Sequence, residues 1–150
     1  MTLEYSGKVA LVTGGSYGIG KAIAKLLASK GALVGLAHHP DDGVAGAETV
    51  AEIERKGGMA FALSAFLGPE GTAEALGEAF LAQVEERTGE AAVDILVNNV
   101  GGGGFSRVPD TTNDYFDAVV GKNVRVPYFL VQKLLPTMRS GGSVINISSA

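Results

Sequence analysis

Val9-Ala10-Leu11-Val12-Thr13-Gly14-Gly15-Ser16-Tyr17-Gly18-Ile19-Gly20 is the stretch on which the reading of this chain turns. Its first four residues form a short apolar run that stops at turn residues, the pattern of a strand buried on both faces. Beyond it, Ile19, Ile23, Leu26 and Leu27 recur at helical spacing, with Lys21, Lys25 and Lys30 on the other side and Gly31 as a helix stop. The glycines between follow G-x-x-x-G-x-G. Gly14 suits the sharp reversal from strand to helix. Gly18 leaves the backbone bare where the N–H groups of a helix N-terminus can hold a diphosphate. Gly20 lets the helix lie close to the sheet. A glycine-rich turn without a ligand is the competing reading. The position of the motif, after the first buried strand and opening an amphipathic helix, favours a dinucleotide.

Working outward, strand and helix patterns alternate. Ala32–Ala37 is a second buried strand, residues 44–56 a helix ending at Gly57, and Met59–Ala65 a third strand. Leu76, Ala79, Phe80 and Val84 mark a helix closed by Arg87 and Gly89. Asp94–Val97 is a fourth strand, a long helical stretch spans 111–138, and Ser143–Ile147 is a fifth strand. Parallel strands need crossover helices, and such crossovers are right-handed. The expected fold is therefore α/β, a doubly wound parallel sheet with helices on both faces, forming a single domain over residues 1–150.

Composition narrows the function. The 150 residues are 46% hydrophobic and 19% charged, which is globular rather than disordered. The net charge of −4 argues against a nucleic-acid partner. With no cysteine, disulfide frameworks and cysteine-ligated zinc are excluded, and the adjacent His38 and His39 have no further ligand cluster nearby, so no metal site is expected. No apolar run reaches the length of a membrane span, and the N-terminus does not read as a secretory signal, so a cytoplasmic location without membrane association is expected. No G-x-x-x-x-G-K-[ST] follows the first strand, which removes an NTP-binding switch.

Four motifs in order resemble those of the short-chain dehydrogenases/reductases. Thr13–Gly20 resembles the family's glycine motif, and Asn98-Asn99-Val100-Gly101 its NNAG, with Val for Ala. Asn123 is similar to its helical active-site Asn, and Asn146-Ile147-Ser148-Ser149 to the strand that delivers its catalytic Ser. The resemblance implies a Rossmann fold and an oxidoreductase that transfers a hydride between NAD(P) and a ketone or secondary alcohol, with a 3-oxoacyl substrate loosely suggested. It covers this whole chain but only the N-terminal part of a typical member, and it implies a fold cut short after the fifth strand, with an open strand edge there. It further implies a small-molecule carbonyl or alcohol partner and a homo-tetramer or dimer formed through the long helix. Tyr115, Phe116, Tyr128 and Phe129 on that helix fit either an interface or core.

On this resemblance the cofactor contacts are Gly14, Ser16, Tyr17, Gly18, Ile19, Gly20, His38, His39, Phe66, Leu67, Asn98, Val100 and Gly101. The cofactor is NADP or NAD. An acid after the second strand would bind the ribose 2′-hydroxyl, and a base would take a 2′-phosphate. His38 stands where NAD-preferring members carry Asp, and Tyr17 where many NADP-preferring members have Arg. The lost acid removes repulsion to a phosphate and tilts the choice to NADP; a plain polar turn at His38 and His39 is the alternative. Phe66-Leu67 occupies the place of the family's adenine-binding acid or amide. Phe66 is expected in the core, with stacking on adenine as the alternative.

For catalysis the resemblance assigns Ser149 to orient the substrate carbonyl, with Ser148 pointing to the opposite face by strand alternation. It assigns Asn123 to hold a relay water. The residues add a physical point here: Pro127 has no N–H, so the carbonyl of Asn123, four residues earlier, loses its helical partner. The family's Tyr-x-x-x-Lys has no convincing counterpart in residues 1–150, since Tyr17–Lys21 falls inside the glycine turn. The 150 residues are thus expected to be part of a longer protein. Alone they are expected to bind dinucleotide poorly and to lack the roughly 10²–10⁴-fold contribution of acid–base catalysis. The alternative function is a non-catalytic dinucleotide-binding or regulatory module. Gly101–Gly104 is expected to be a flexible loop, and Arg107 a solvated surface side chain.

Overall fold

The computed structural model describes residues 2–149. Its five strands are β1 (Val9–Thr13), β2 (Leu33–His38), β3 (Met59–Ser64), β4 (Val93–Asn98) and β5 (Met138–Asn146). All pair in parallel, in the order β3-β2-β1-β4-β5. The helices are α1 (Gly18–Ser29), α2 (Gly43–Arg55), α3 (Thr72–Thr88), α4 (Asn113–Val120) and α5 (Val126–Leu134). The doubly wound sheet is thus observed.

Alternation along β1 divides the core in two. Val9 and Leu11 point into one layer with Phe61, Phe80, Val84, Leu130 and Leu134, under α3 and α5. Ala10 and Val12 point into the other, with Val34, Leu36, Ala24, Leu27 and Ile53, under α1 and α2. A strand covered on both sides must be apolar at every position, which is why β1 reads as a continuous run.

The seating of α1 corrects the sequence reading. Its buried face is Gly20, Ala24, Leu27 and Ala28, whereas Ile19 is 61% exposed and Leu26 58% exposed. Leu27 is buried and Ile23 packs against the core as expected, but Gly20 and Ala24 let the helix lie close to the sheet, with Ile19 and Leu26 turned outward. Lys21 and Lys25 both reach Glu52 on α2, at 2.8 and 2.7 Å. Their hydrogen bonds hold the Glu52 carboxyl down to about 2. A carboxylate NMR titration should place the Glu52 midpoint there; a midpoint in the ordinary range near ~4.3 would mean the two lysines do not hold it in solution.

The stretch expected as one helix over 111–138 is broken. Between α4 and α5 the chain widens into a π-helical segment, Gly121–Arg125, in which the Val126 N–H donates to the Gly121 carbonyl five residues back. Pro127 cannot donate to Asn123, and a wider turn is the local solution. A 3₁₀ turn, Leu135–Thr137, ends α5.

β5 begins at Met138, earlier than the expected Ser143. Two steps along β4, Val93 to Ile95, match five along β5, Met138 to Ser143, so the intervening residues form a bulge in which Gly141 has φ +81°. Arg139 in that bulge reaches Asp94 on β4 and Glu90, each at 2.7 Å. Among the described residues β5 is an edge strand, and its Val144 and Ile145 are exposed. No helix among the described residues is long and apolar enough to cross a membrane.

Candidate active site

β1 pairs with β2 on one side and β4 on the other, so the crossover direction reverses between β1 and β4. In doubly wound sheets a crevice opens at that point, beyond the carboxyl ends of the strands. Two adjoining clefts lie there, sharing Asn99, Val100 and Gly101.

The turn between β1 and α1 is locked to β4 by two side chains. Thr13 Oγ1 accepts the N–H groups of Asn99 and Val100, both at 3.0 Å. Asn99 Nδ2 donates back to the carbonyls of Thr13 and Gly14, at 3.0 and 3.3 Å. Gly14 and Gly18 have positive φ, +68° and +49°, and a Cβ on Gly18 would meet nothing within 4 Å. Tyr17 is the N-cap of α1, and its side chain makes no capping bond. The first N–H groups of α1 therefore end beside open space, without a side-chain acceptor, as an anion site requires.

The smaller cleft, about 420 Å³, runs from Gly14 and Gly18 to the ends of β2 and β3. Tyr17 is exposed and donates to Asp42 Oδ1 at 3.3 Å; partial desolvation, then the Asp42 charge, hold its phenol above its ordinary range. His38 is buried beneath α2: a Cβ on Gly46 would lie 2.6 Å from its ring, and its Nδ1 is 2.7 Å from the His39 carbonyl. His38 is strand rather than polar turn. His39 is the accessible imidazole, accepting the Asp41 N–H through Nδ1 and meeting Phe66 edge-on at 5.3 Å. Phe66 is 58% exposed and lines the cleft, which corrects its expected place in the core; Leu67 takes the core position and still reaches the cleft wall. Lys122 also lines this cleft.

Two of the expected contact residues line neither cleft. Ser16 is buried, its carbonyl accepting Thr49 Oγ1 at 3.5 Å. Gly20 is seated against the Gly14 carbonyl, and a Cβ on it would lie 2.5 Å from Asn99 Nδ2. Its place is structural: it sets how close α1 lies to the turn.

The larger cleft, about 1110 Å³, is walled by Ile19, by the ends of β4 and β5, and by α5. Among the described residues, none of the side chains lining it carries a charge. Asn98 Nδ2 donates to Asn146 Oδ1 at 2.9 Å, while the buried Oδ1 of Asn98 has no partner among the described residues. Ser148 and Ser149 both line this cleft; they follow the last strand residue, Asn146, so strand alternation no longer separates them.

Asn123, in the π segment, clamps the glycine loop. Its Oδ1 accepts the Gly102 N–H at 2.9 Å, and its Nδ2 donates to the carbonyls of Gly102 and Val119, at 2.9 and 2.8 Å. Tyr115 donates its hydroxyl to the Gly104 carbonyl. The tetraglycine stretch, expected to be flexible, is thus tied at two points. Arg107 pairs at the surface with Asp110 at 2.7 Å.

The residues that sequence reasoning missed are Thr13, Asn99, Asn146, Tyr115 and Lys122. The first three stand inside quoted motifs, and only the fold shows that they bond to one another. Lys122 is next to Asn123, but its side with respect to the cleft depends on the π segment.

A family model described as short chain dehydrogenase matches residues 8–150. Versicolorin reductase 1 of Aspergillus parasiticus is 37% identical over 146 residues, covering 95% of this chain and 52% of that protein. The crystal structure of angucycline C-6 ketoreductase LanV with bound NADP superposes with a TM-score of 0.94 at 41% identity, covering 99% of this chain and 58% of that one. The landomycin C-6 ketoreductase LanV with bound NADP and rabelomycin gives 0.92 at 42%, covering 96% and 58%. The chain spans about half the length of the curated relatives it matches.

Proposed function

The chain belongs to the short chain dehydrogenase family, and from that premise we propose that the protein is an NAD(P)-dependent oxidoreductase acting on a ketone or secondary alcohol. The observation that carries this is the glycine turn. Its α1 N–H groups end beside open space, and Thr13 and Asn99 fix it to β4, next to a cleft lined by Asn123, Ser148 and Ser149. When bound, NAD(P) supplies or accepts the hydride.

In this reading Gly14, Gly18 and the start of α1 hold the diphosphate, and His39, Phe66 and Tyr17 border the adenosine. Ile19, Asn98, Val100 and Gly101 face the nicotinamide end, where a ligand N–H would satisfy the buried Asn98 Oδ1. Ser149 donates to the substrate oxygen. Pro127 has no N–H to give the Asn123 carbonyl, and in this reading that carbonyl holds a water that passes protons. The uncharged lining favours a neutral, apolar ketone over a 3-oxoacyl group on an anionic carrier, and the likeness to the angucycline ketoreductase supports this. Exposed Phe116 and Tyr128 on α4 and α5 support assembly through that face into a dimer or tetramer.

The test is nucleotide binding and turnover by the full-length protein, with NADPH and NADH against a neutral aryl ketone and a 3-oxoacyl thioester. NADPH-dependent reduction of the neutral ketone is expected, with Ser149→Ala lowering kcat about 10²-fold. Failure to bind either dinucleotide would overturn the proposal, and tight binding without turnover on any ketone would favour a regulatory module.

A further inference from the structure

We infer that Lys122 supplies the fixed positive charge that holds the phosphates of the bound dinucleotide. The inference rests on reading the smaller cleft as the dinucleotide site. Among the described residues that line that cleft, Lys122 is the only permanently charged one. It is half-buried, and among the described residues its ammonium has no hydrogen-bond or ion-pair partner. Its situation differs from that of the other lysines. Lys8, Lys21, Lys25, Lys30 and Lys133 each reach a carboxylate, and Lys56 is an exposed helix cap.

The fold explains how a residue distant in sequence reaches this place. Lys122 lies on the π segment, and Gly121 before it rests against the β3–α3 connection: a Cβ there would stand 2.6 Å from the Gly68 carbonyl. The segment thus borders the same cleft as Gly14 and Gly18, where the open N–H groups of α1 begin.

The other candidate for reading phosphate charge, the end of β2, is poorly equipped. His38 is turned under α2, and His39 neighbours the acids Asp41 and Asp42. NAD carries a diphosphate, and NADP a further phosphate. An ammonium that pairs with no carboxylate among the described residues gains a charge-assisted bond without first giving one up. It therefore contributes more than an exposed, paired lysine would.

Fluorescence titration of NADPH, NADH and adenosine into the wild-type protein and the Lys122→Met and Lys122→Arg variants tests this, with urea unfolding as the control for folding. Lys122→Met should weaken NADPH about tenfold or more, Lys122→Arg should restore most of the loss, and adenosine, which has no phosphate, should bind all three proteins alike. Loss confined to NADPH would put the ammonium on the 2′-phosphate, and equal loss for NADH would put it on the diphosphate; both support the inference. Should Lys122→Met destabilise the fold, Lys122→Gln takes its place in the same titration. Unchanged NADPH affinity, or an equal loss for adenosine, would overturn the role of Lys122. Failure of the wild-type protein itself to bind either dinucleotide would instead sink the cofactor-site reading.

Discussion

Gly20→Ala should lose dinucleotide affinity by at least about a hundredfold and lower unfolding stability by about 1–3 kcal/mol. The added methyl would overlap the Gly14 carbonyl and lie 2.5 Å from Asn99 Nδ2. Both are parts of the lock between the turn and β4, so neither can yield alone. To make room α1 must lift, carrying its N–H groups away from the turn and loosening the Asn99 bonds to Thr13 and Gly14. Gly18→Ala provides the contrast. Its Cβ meets no protein atom, so only the positive φ opposes it, at about 1–2 kcal/mol. Its methyl would nonetheless occupy the open space above the turn, and binding should fall. Nucleotide titration and urea unfolding of both variants measure the two effects. A Gly20→Ala protein as stable as wild type would show that α1 is not seated on the turn in this way.

Asp94→Ala should destabilise the sheet by about 1–3 kcal/mol, because it leaves the buried Val9 N–H without its acceptor and takes a partner from Lys8 and Arg139. The Asp94 carboxylate is almost wholly buried. It accepts the Val9 N–H at 2.9 Å, Lys8 Nζ at 3.1 Å and Arg139 Nη1 at 2.7 Å, so β1, β4 and the β5 bulge meet on one group. Asp94→Asn keeps the shape and should cost less. Burial pushes the Asp94 carboxyl up, but the Val9 N–H, Lys8 and Arg139 together outweigh it and hold it below the ordinary carboxylate range. A carboxyl lowered in the folded state stabilises fully above its unfolded value, near ~3.9, and loses that contribution as pH falls through the folded value. The stability difference between wild type and Asp94→Asn, followed by urea unfolding, should therefore shrink progressively below about pH 4. A difference that stays constant into that range would mean the charge of Asp94 does not carry the effect.

Much of the fold was legible because it depends on burial. β1, β2 and β4 are covered on both faces, so their apolar runs are long and their boundaries sharp, while β3, at an edge of the sheet, mixes buried and exposed residues. The start of β5 was not legible: Arg139-Ser140-Gly141-Gly142 reads as a turn, and only the ion pairs of Arg139 reveal it as a bulge inside a strand. In α1 the apolar periodicity correctly pointed to Ile23 and Leu27 but also to Ile19 and Leu26, which are exposed; the closest approach to the sheet is made by Gly20 and Ala24, because closeness is set by small side chains. At the candidate site, residue types and order were readable, but orientation was not. Nothing local separates the buried His38 from the accessible His39, or the exposed Phe66 from the buried Leu67.

The widened turn at Gly121–Arg125 also has a bearing on how this region tolerates change in length. A helix that closes one hydrogen bond over five residues rather than four holds one residue more than a regular coil of the same rise. Upstream of it, α4 buries none of its residues, while downstream Val126, Leu130 and Leu134 are all interior. The extra residue therefore sets the rotational phase between an outward-facing half and an inward-facing half. Removing a residue from this turn would leave a regular helix whose two halves are out of phase by one residue's rotation, and a single-residue deletion here is a larger structural event than one in the solvent-facing loop at Phe105.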